Sequence, residues 1–249
     1  LTEPTLPFVF TASGIKALYF KLDQLQSRMS SARPDHLDVD YTRTMMGFLL
    51  FNRSPARIAI IGLGGGSLAK FCYRHLPQAI ITVVEINPHV IALRDEFLIP
   101  TDDGRFNVVL ADGAEFVQHT PPGMAPGMDV LMVDGFDAEG QAATLCSQPF
   151  YDHCHQALAD QGIMVVNLHH DHPEFDVYMA RIQRSFEGNV IAIASREKSN
   201  TIVFARKGLR ISAQALRDDD CLEHFGPEVR SQLRPEFSRI TWLVVEPRG

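Results

Sequence analysis

The residues best placed to do chemistry begin with a glycine-rich turn, Gly62-Leu63-Gly64-Gly65-Gly66-Ser67, that follows the apolar run Ile58–Ile61. Three acids stand in equivalent positions further along the chain. Glu85 ends a second apolar run twenty-three residues after Gly62, Asp112 follows a third, and Asp134 ends a fourth. Glycines at such a turn let a ligand approach the backbone closely, and the helix behind it offers unpaired N–H groups and a positive dipole end. An acid at the end of the second strand can accept both hydroxyls of a ribose. The chemistry predicted is therefore binding of a nucleoside. A dinucleotide fingerprint requires G-x-G-x-x-G/A, and here the sixth position is Ser67. The spacing of Gly62, Gly64 and Gly66 suits an adenosyl-sulfonium ligand better. Its cationic end prefers the acidic rim formed by Glu85, Asp112, Asp134 and Asp137 to a phosphate cradle.

These residues need a parallel sheet to bring them to one edge. From Arg57 onward the sequence alternates buried strand and helix. Strands are predicted over Ile58–Ile61, Ala79–Glu85, Phe106–Ala111, Asp129–Asp134 and Ile163–Leu168. Helices are predicted over Ser67–His75, from Pro88 to near Phe97, from Ala114, over Gln148–Ala159 and over Glu174–Glu187. Near-continuous β-branched runs separated by helices imply a parallel sheet covered on both faces. In such sheets ligands bind outside the carboxyl ends of the strands. Two last strands, Val190–Ser195 and Thr201–Ala205, read as a hairpin. Before the sheet, residues 1–40 hold three short β-like runs (Phe8–Thr11, Ala17–Phe20, Gln26–Met29), a small antiparallel region. A helix is predicted from Tyr41 to Phe51. The chain divides into this N-terminal β region (1–40), the α/β domain (41–208) and a C-terminal extension (209–249) packed on the same domain.

Composition narrows the classes. The 249 residues carry a net charge of −7 with ordinary globular proportions, which argues against disorder and against a general nucleic-acid binder. No apolar run reaches the roughly 18 residues of a spanning helix. Cys72, Cys146, Cys154 and Cys221 form no CxxC pair and read as reduced thiols. Reduced thiols make a cytoplasmic protein the expectation, and the opening residues do not show the basic n-region and small-residue cleavage site of a secretory signal. Asn167 opens a stretch, Asn167-Leu168-His169-His170-Asp171-His172, that matches no standard zinc spacing. The stretch lies just after the fifth strand, near the expected pocket mouth, and reads either as a solvated loop or as a rim segment that hydrogen-bonds a substrate; Asn167 is taken for the substrate side.

The ordered motifs Ile60-Ile61-Gly62, Val83-Val84-Glu85-Ile86-Asn87, Asp112-Gly113-Ala114-Glu115-Phe116 and Asp129–Asp134 followed by Asp137 resemble the spermidine synthase (polyamine aminopropyltransferase) family. Tyr41 with Met45 is similar to that family's Tyr-x-Glu-Met helix start. The resemblance covers about residues 40–206. It implies a methyltransferase-like Rossmann fold with a seven-stranded, mostly parallel sheet behind a reduced N-terminal β region. It implies that Glu85 holds the ribose, that Asp112 and Gly113 read the adenine edge, and that Gly62, Gly64 and Gly66 form the donor loop. Asp134 would engage the attacking amine, with Asp137, Tyr41 and Asn167 on the substrate side. The donor would be S-adenosylmethionine or its decarboxylated form, the acceptor a polyamine such as putrescine, with no metal, nucleic acid or membrane partner and a homodimeric assembly.

Three positions depart from the family pattern. Gly65 stands where the family's glycine loop has an acid, Arg43 where it has a glutamate, and Asp134-Gly135-Phe136-Asp137-Ala138 replaces Asp-Ser-Ser-Asp-Pro. Arg43, pointing into the pocket, would repel a polyamine and pair with a carboxylate of donor or substrate. The departures keep two alternatives open: a methyltransferase of unknown acceptor and a non-catalytic nucleotide-binding homologue.

Overall fold

The computed structural model describes residues 5–22, 24–119, 127–137, 140–196, 200–212, 216 and 219–245. The chain opens with strands β1 (Phe8–Ala12), β2 (Ile15–Lys21) and β3 (Gln24–Ser30), which pair in sequence as a three-stranded antiparallel sheet. Helix α1 (Asp40–Met45) follows and tightens into a 3-10 turn over Met46–Leu50, rather than the single helix expected to Phe51. The tightening falls where Gly47 lies against the Ile240 and Phe204 side chains, with no room there for even a methyl group.

A seven-stranded sheet makes up the body of the molecule. Its strands are β4 (Arg57–Ile61), β5 (Ile80–Glu85), β6 (Phe106–Leu110), β7 (Met128–Val133), β10 (Leu158–His169), β11 (Val190–Ala194) and β12 (Asn200–Arg206). A two-residue pair, β8 (Phe136–Asp137) with β9 (Gly140–Gln141), stands apart from it. The spatial order is β11-β12-β10-β7-β4-β5-β6. Strands β6, β5, β4, β7 and β10 run parallel, and β12 enters antiparallel between β10 and β11. The expected hairpin is present.

Strand alternation shows why these runs are apolar throughout. Ile58 and Ile60 face one core with Val130, Met132, Ile163 and Val165. Their neighbours Ala59 and Ile61 face a second core with Leu131, Val133, Met164 and Val166. A strand with a hydrophobic layer on each side has no polar face to offer. The first core is closed by α1, by α2 (Ser67–His75) and by α7 (Pro227–Val245). The second is closed by α4 (Gly113–Gln118), α5 (Gln148–Ala157) and α6 (Phe175–Ser185). The four cysteines form no disulfide and are buried in these layers.

Local chemistry sets the helix starts. The Asn87 side chain accepts from the His89 N–H at 3.0 Å and caps α3 (Pro88–Ile91), whose Pro88 needs no donor partner. The helix predicted as far as Phe97 unwinds after Ile91 into successive turns that end at Leu98, which has φ +53°. The Asp160-Gln161-Gly162 turn expected before the fifth strand is instead an irregularity inside β10, where the pairing with β7 jumps between Leu158 and Ile163.

The fully buried Ile240 of α7 joins the first core, and its removal should leave a cavity between α7 and Gly47. Ile240→Ala is expected to cost about 2–5 kcal/mol in urea unfolding.

Candidate functional site

Strand order reverses beside β4. The chain moves outward through β5 and β6, then returns to lay β7 on the other side of β4. The loops leaving β4 and β7 therefore diverge and open a crevice at the carboxyl ends of the strands. A cavity of about 730 Å³ occupies it, within the size range of small-molecule sites. Gly62, Gly64, Glu85, Asp112, Gly113 and Asp134 all line it. Leu18, Phe20 and Ser27 of the N-terminal sheet, with Val39, Tyr41 and Thr42, line it as well.

Gly62 is held by both neighbouring strands. Its N–H donates to the Val84 carbonyl at 2.8 Å, while the Asp134 N–H donates to the Ile61 carbonyl at 2.8 Å. Its φ of +97° suits glycine, and a methyl group there would collide with the Asp134 carbonyl. Gly64, with φ +49°, lines the cavity, where a methyl group would make only ordinary contact with Ser27. Gly66 is placed differently from the sequence reading. It starts α2 in the left-handed conformation beneath Ile99 and does not line the cavity. Gly65, where an acid was missed, is packed against Ser27 and Phe97. No side chain caps α2. Its Lys70 is buried, donates to the Phe97 carbonyl at 2.7 Å and is brought down to about 8 by that burial.

Glu85 and Asp112 each do structural work beside the cavity. Glu85 accepts from the Leu63 N–H at 2.9 Å and from the Asn87 N–H at 2.8 Å, fastening the glycine turn to the end of β5. Burial raises its pKa above the usual carboxylate range, against these backbone hydrogen bonds. Asp112 caps α4 with one oxygen, accepting from the Ala114 N–H at 2.7 Å.

Asp134 is the most elaborately supported acid. The Tyr41 hydroxyl donates to Oδ2 at 3.0 Å, and Asn167 Nδ2 donates to Oδ1 at 2.9 Å. Asn200 Nδ2 then donates to Asn167 Oδ1 at 2.9 Å, and Gln141 Nε2 donates to the Asn167 carbonyl at 3.0 Å. Burial pushes the Asp134 carboxyl upward, partly offset by the hydrogen bonds from Asn167 and Tyr41. Burial, and then the adjacent carboxylate, push the Tyr41 phenol well above its usual value. Asn167, expected on the substrate side, is buried and touches Asp134 rather than lining the cavity. Asn200 and Gln141 were not singled out from sequence. An asparagine next to a polar turn reads as a turn residue, and only the antiparallel entry of β12 brings it to Asn167.

One other expectation comes out differently. Arg43 does not line the cavity: it donates to the Leu37 carbonyl at 2.7 Å and to Asp40 at 3.3 Å. In the histidine stretch, the His169 ring packs on Phe136 with centroids 4.6 Å apart, and His172 stacks on Tyr178. Asp137 pairs through its backbone with Gly140, and its side chain lies outside the described part.

The strand order and the acid-lined cavity at its reversal define a methyltransferase-like α/β fold. Residues 39–204 match the spermine/spermidine synthase domain, and the chain belongs to that family of transferases. It is 36% identical over 193 residues to a polyamine aminopropyltransferase of Chromobacterium violaceum, covering 77% of this chain and 72% of the relative. Among solved structures it is similar to a probable spermidine synthase from Corynebacterium glutamicum, with a TM-score of 0.71, 20% identity and coverage of 88% and 82%. It is also similar to human methyltransferase-like protein 13 in complex with SAH, with a TM-score of 0.64, 23% identity and coverage of 85% and 95%. At these identities the two structures speak for the fold alone.

Gly62→Ala is expected to cost at least about 3 kcal/mol in chemical denaturation, because its methyl meets backbone and its φ is unfavourable. Arg43→Gln is expected to leave ligand preference unchanged in calorimetric titrations with adenosyl ligands, since the guanidinium faces Asp40 and Leu37.

Proposed function

We propose that the protein transfers an aminopropyl group from decarboxylated S-adenosylmethionine to a polyamine such as putrescine. The observation that carries this reading is Asp134, set at the sheet's switch point with both oxygens oriented, in a chain of the spermine/spermidine synthase family. In this reading Glu85 meets the ribose, Asp112 and Gly113 meet the adenine edge, and the turn at Gly62 and Gly64 lies along the donor. Asp137 helps hold the amine. Tyr41 faces the acceptor from the cavity wall, and Asn167 acts on it through Asp134. Buried cysteines that form no disulfide fit the cytoplasmic setting we propose.

The amine nitrogen attacks the methylene carbon next to the sulfonium. A C–N bond forms and the C–S bond breaks. Its electron pair goes to sulfur, and neutral methylthioadenosine leaves. The nitrogen must also lose a proton. An alkyl ammonium near ~10.4 and a carboxylic acid near ~3.9 differ by about 9 kcal/mol in proton affinity. Asp134 therefore does not take the proton at equilibrium. It orients the amine and accepts the proton as charge develops on nitrogen. Burial raises its basicity, which narrows the gap. A negative carboxylate also offsets the repulsion between sulfonium and ammonium.

A second reading, methyl transfer from S-adenosylmethionine, draws support from Gly65. The family's acid is absent there, and Ser27 and Phe97 fill the space a side chain would need.

Mass spectrometry after incubation with putrescine and either donor tests the two readings. Spermidine and methylthioadenosine from the decarboxylated donor are expected; no product from either donor would overturn aminopropyl transfer. Asp134→Asn is expected to lower kcat by about 10²–10⁴-fold. The pH profile has a definite sign. The reaction needs the Asp134 carboxylate, and its pKa is raised. Activity should therefore fall on acidification, beginning above the usual carboxylate range, and this limb should vanish in Asp134→Asn.

A further inference from the structure

Helix α1 carries Tyr41, and it cannot orient itself. It is six residues long, and its N-cap, Val39, makes no side-chain cap bond. A helix of that length has no independent stability in water. Its direction must come from what holds it.

What holds it lies largely beyond the family domain, which ends at residue 204. Glu236, on α7, is buried. Its Oε2 accepts from the Thr44 hydroxyl at 3.1 Å and from Arg239 Nε at 2.9 Å. Its Oε1 pairs with Arg196 at 3.3 Å. Arg196 in turn presents its backbone N–H to Asp40 at 2.9 Å, beside the Ser195 hydroxyl that also donates to Asp40. One turn earlier on α7, Gln232 accepts from the Leu37 N–H at 2.8 Å. The segment entering α1 and its Asp40 and Thr44 side chains are thus tied to α7 and to the two residues that follow β11. Tyr41 and Thr44 are i, i+3 neighbours on one short helix. A shift of Thr44 therefore carries Tyr41 with it, and a 3.0 Å hydrogen bond to Asp134 tolerates little displacement.

We propose that Glu236 is a positioning residue for the acid of the site: through Thr44 it fixes α1 so that the Tyr41 hydroxyl bonds Asp134. The Glu236 carboxylate is buried and its Arg239 partner is mostly so, and leaving either unpaired is costly, which makes this pair rigid enough for the role; the half-exposed Arg196 adds little. The role of Asp134 in catalysis rests on the function proposed above; the positioning itself does not.

The test follows Asp134 directly. Carboxyl ¹³C NMR of aspartate-labelled protein reports its titration midpoint, with the signal assigned by its absence in Asp134→Asn. Tyr41→Phe removes a donor to the charged form and should raise the midpoint. Thr44→Val and Glu236→Gln should raise it in the same direction, and neither should add a further shift in the Tyr41→Phe background. In turnover assays both should lower kcat about tenfold with the donor KM unchanged. Thr44→Val keeps the volume of the buried side chain and serves should Glu236→Gln fail to fold. The proposal is overturned if the midpoint stays at its wild-type value in Thr44→Val, or if the shift persists in full without the Tyr41 hydroxyl. Failure of aminopropyl transfer would show separately, as absence of product from the wild-type protein, and the titration would still decide.

Discussion

A half-hidden carboxylate with a donor on each oxygen is the constraint around which the molecule is arranged. Asp134 ends the strand at which the sheet changes direction, and its two oxygens are claimed by side chains from separate parts of the chain, Tyr41 and Asn167. Placing an acid among apolar layers is unfavourable without hydrogen bonds. The Asn200–Asn167–Asp134–Tyr41 series supplies them, and in doing so fixes which way each oxygen faces. Precision at the site and the stability of the buried charge come from the same contacts.

The same economy recurs along the sheet edge. Glu85 lines the cavity and closes the glycine turn through backbone N–H groups. Asp112 lines it and caps α4. Gly62 is the point where the β4 and β7 loops touch through backbone. A ligand in this crevice would meet groups already immobilised by the fold, so little ordering would remain to oppose binding.

Much of this was legible in the sequence. The apolar runs from Ile58, Ile81 and Val130 are buried on both faces, and that pattern alone implies parallel strands under helices. Glycine at residue 62 and acids at 85, 112 and 134 could be placed on one edge because each ends such a run. The helix expected after the glycine turn, Ser67–His75, has those bounds in the structure. Contacts that depend on distant pairing could not be read. Arg43 looks like a pocket residue from its motif, yet a neighbouring carboxylate and a free carbonyl draw its guanidinium elsewhere. Asn167 looks like a substrate-side residue, yet β12 covers it. The 3-10 turn after α1 falls where Phe204 and Ile240, two side chains far away in sequence, lie against Gly47. Local propensity carries no trace of such neighbours.

The antiparallel strand β12 has a consequence for the order of assembly. Strands β4 to β10 can form their parallel array from residues up to His169, and the cavity walls come with them. The series that orients the acid is completed only when Asn200 arrives between β10 and β11. During synthesis, which proceeds from the N-terminus, the crevice would thus take shape before its carboxylate is aimed. Competence would be conferred late, by the half of the chain that contributes least to the cavity wall.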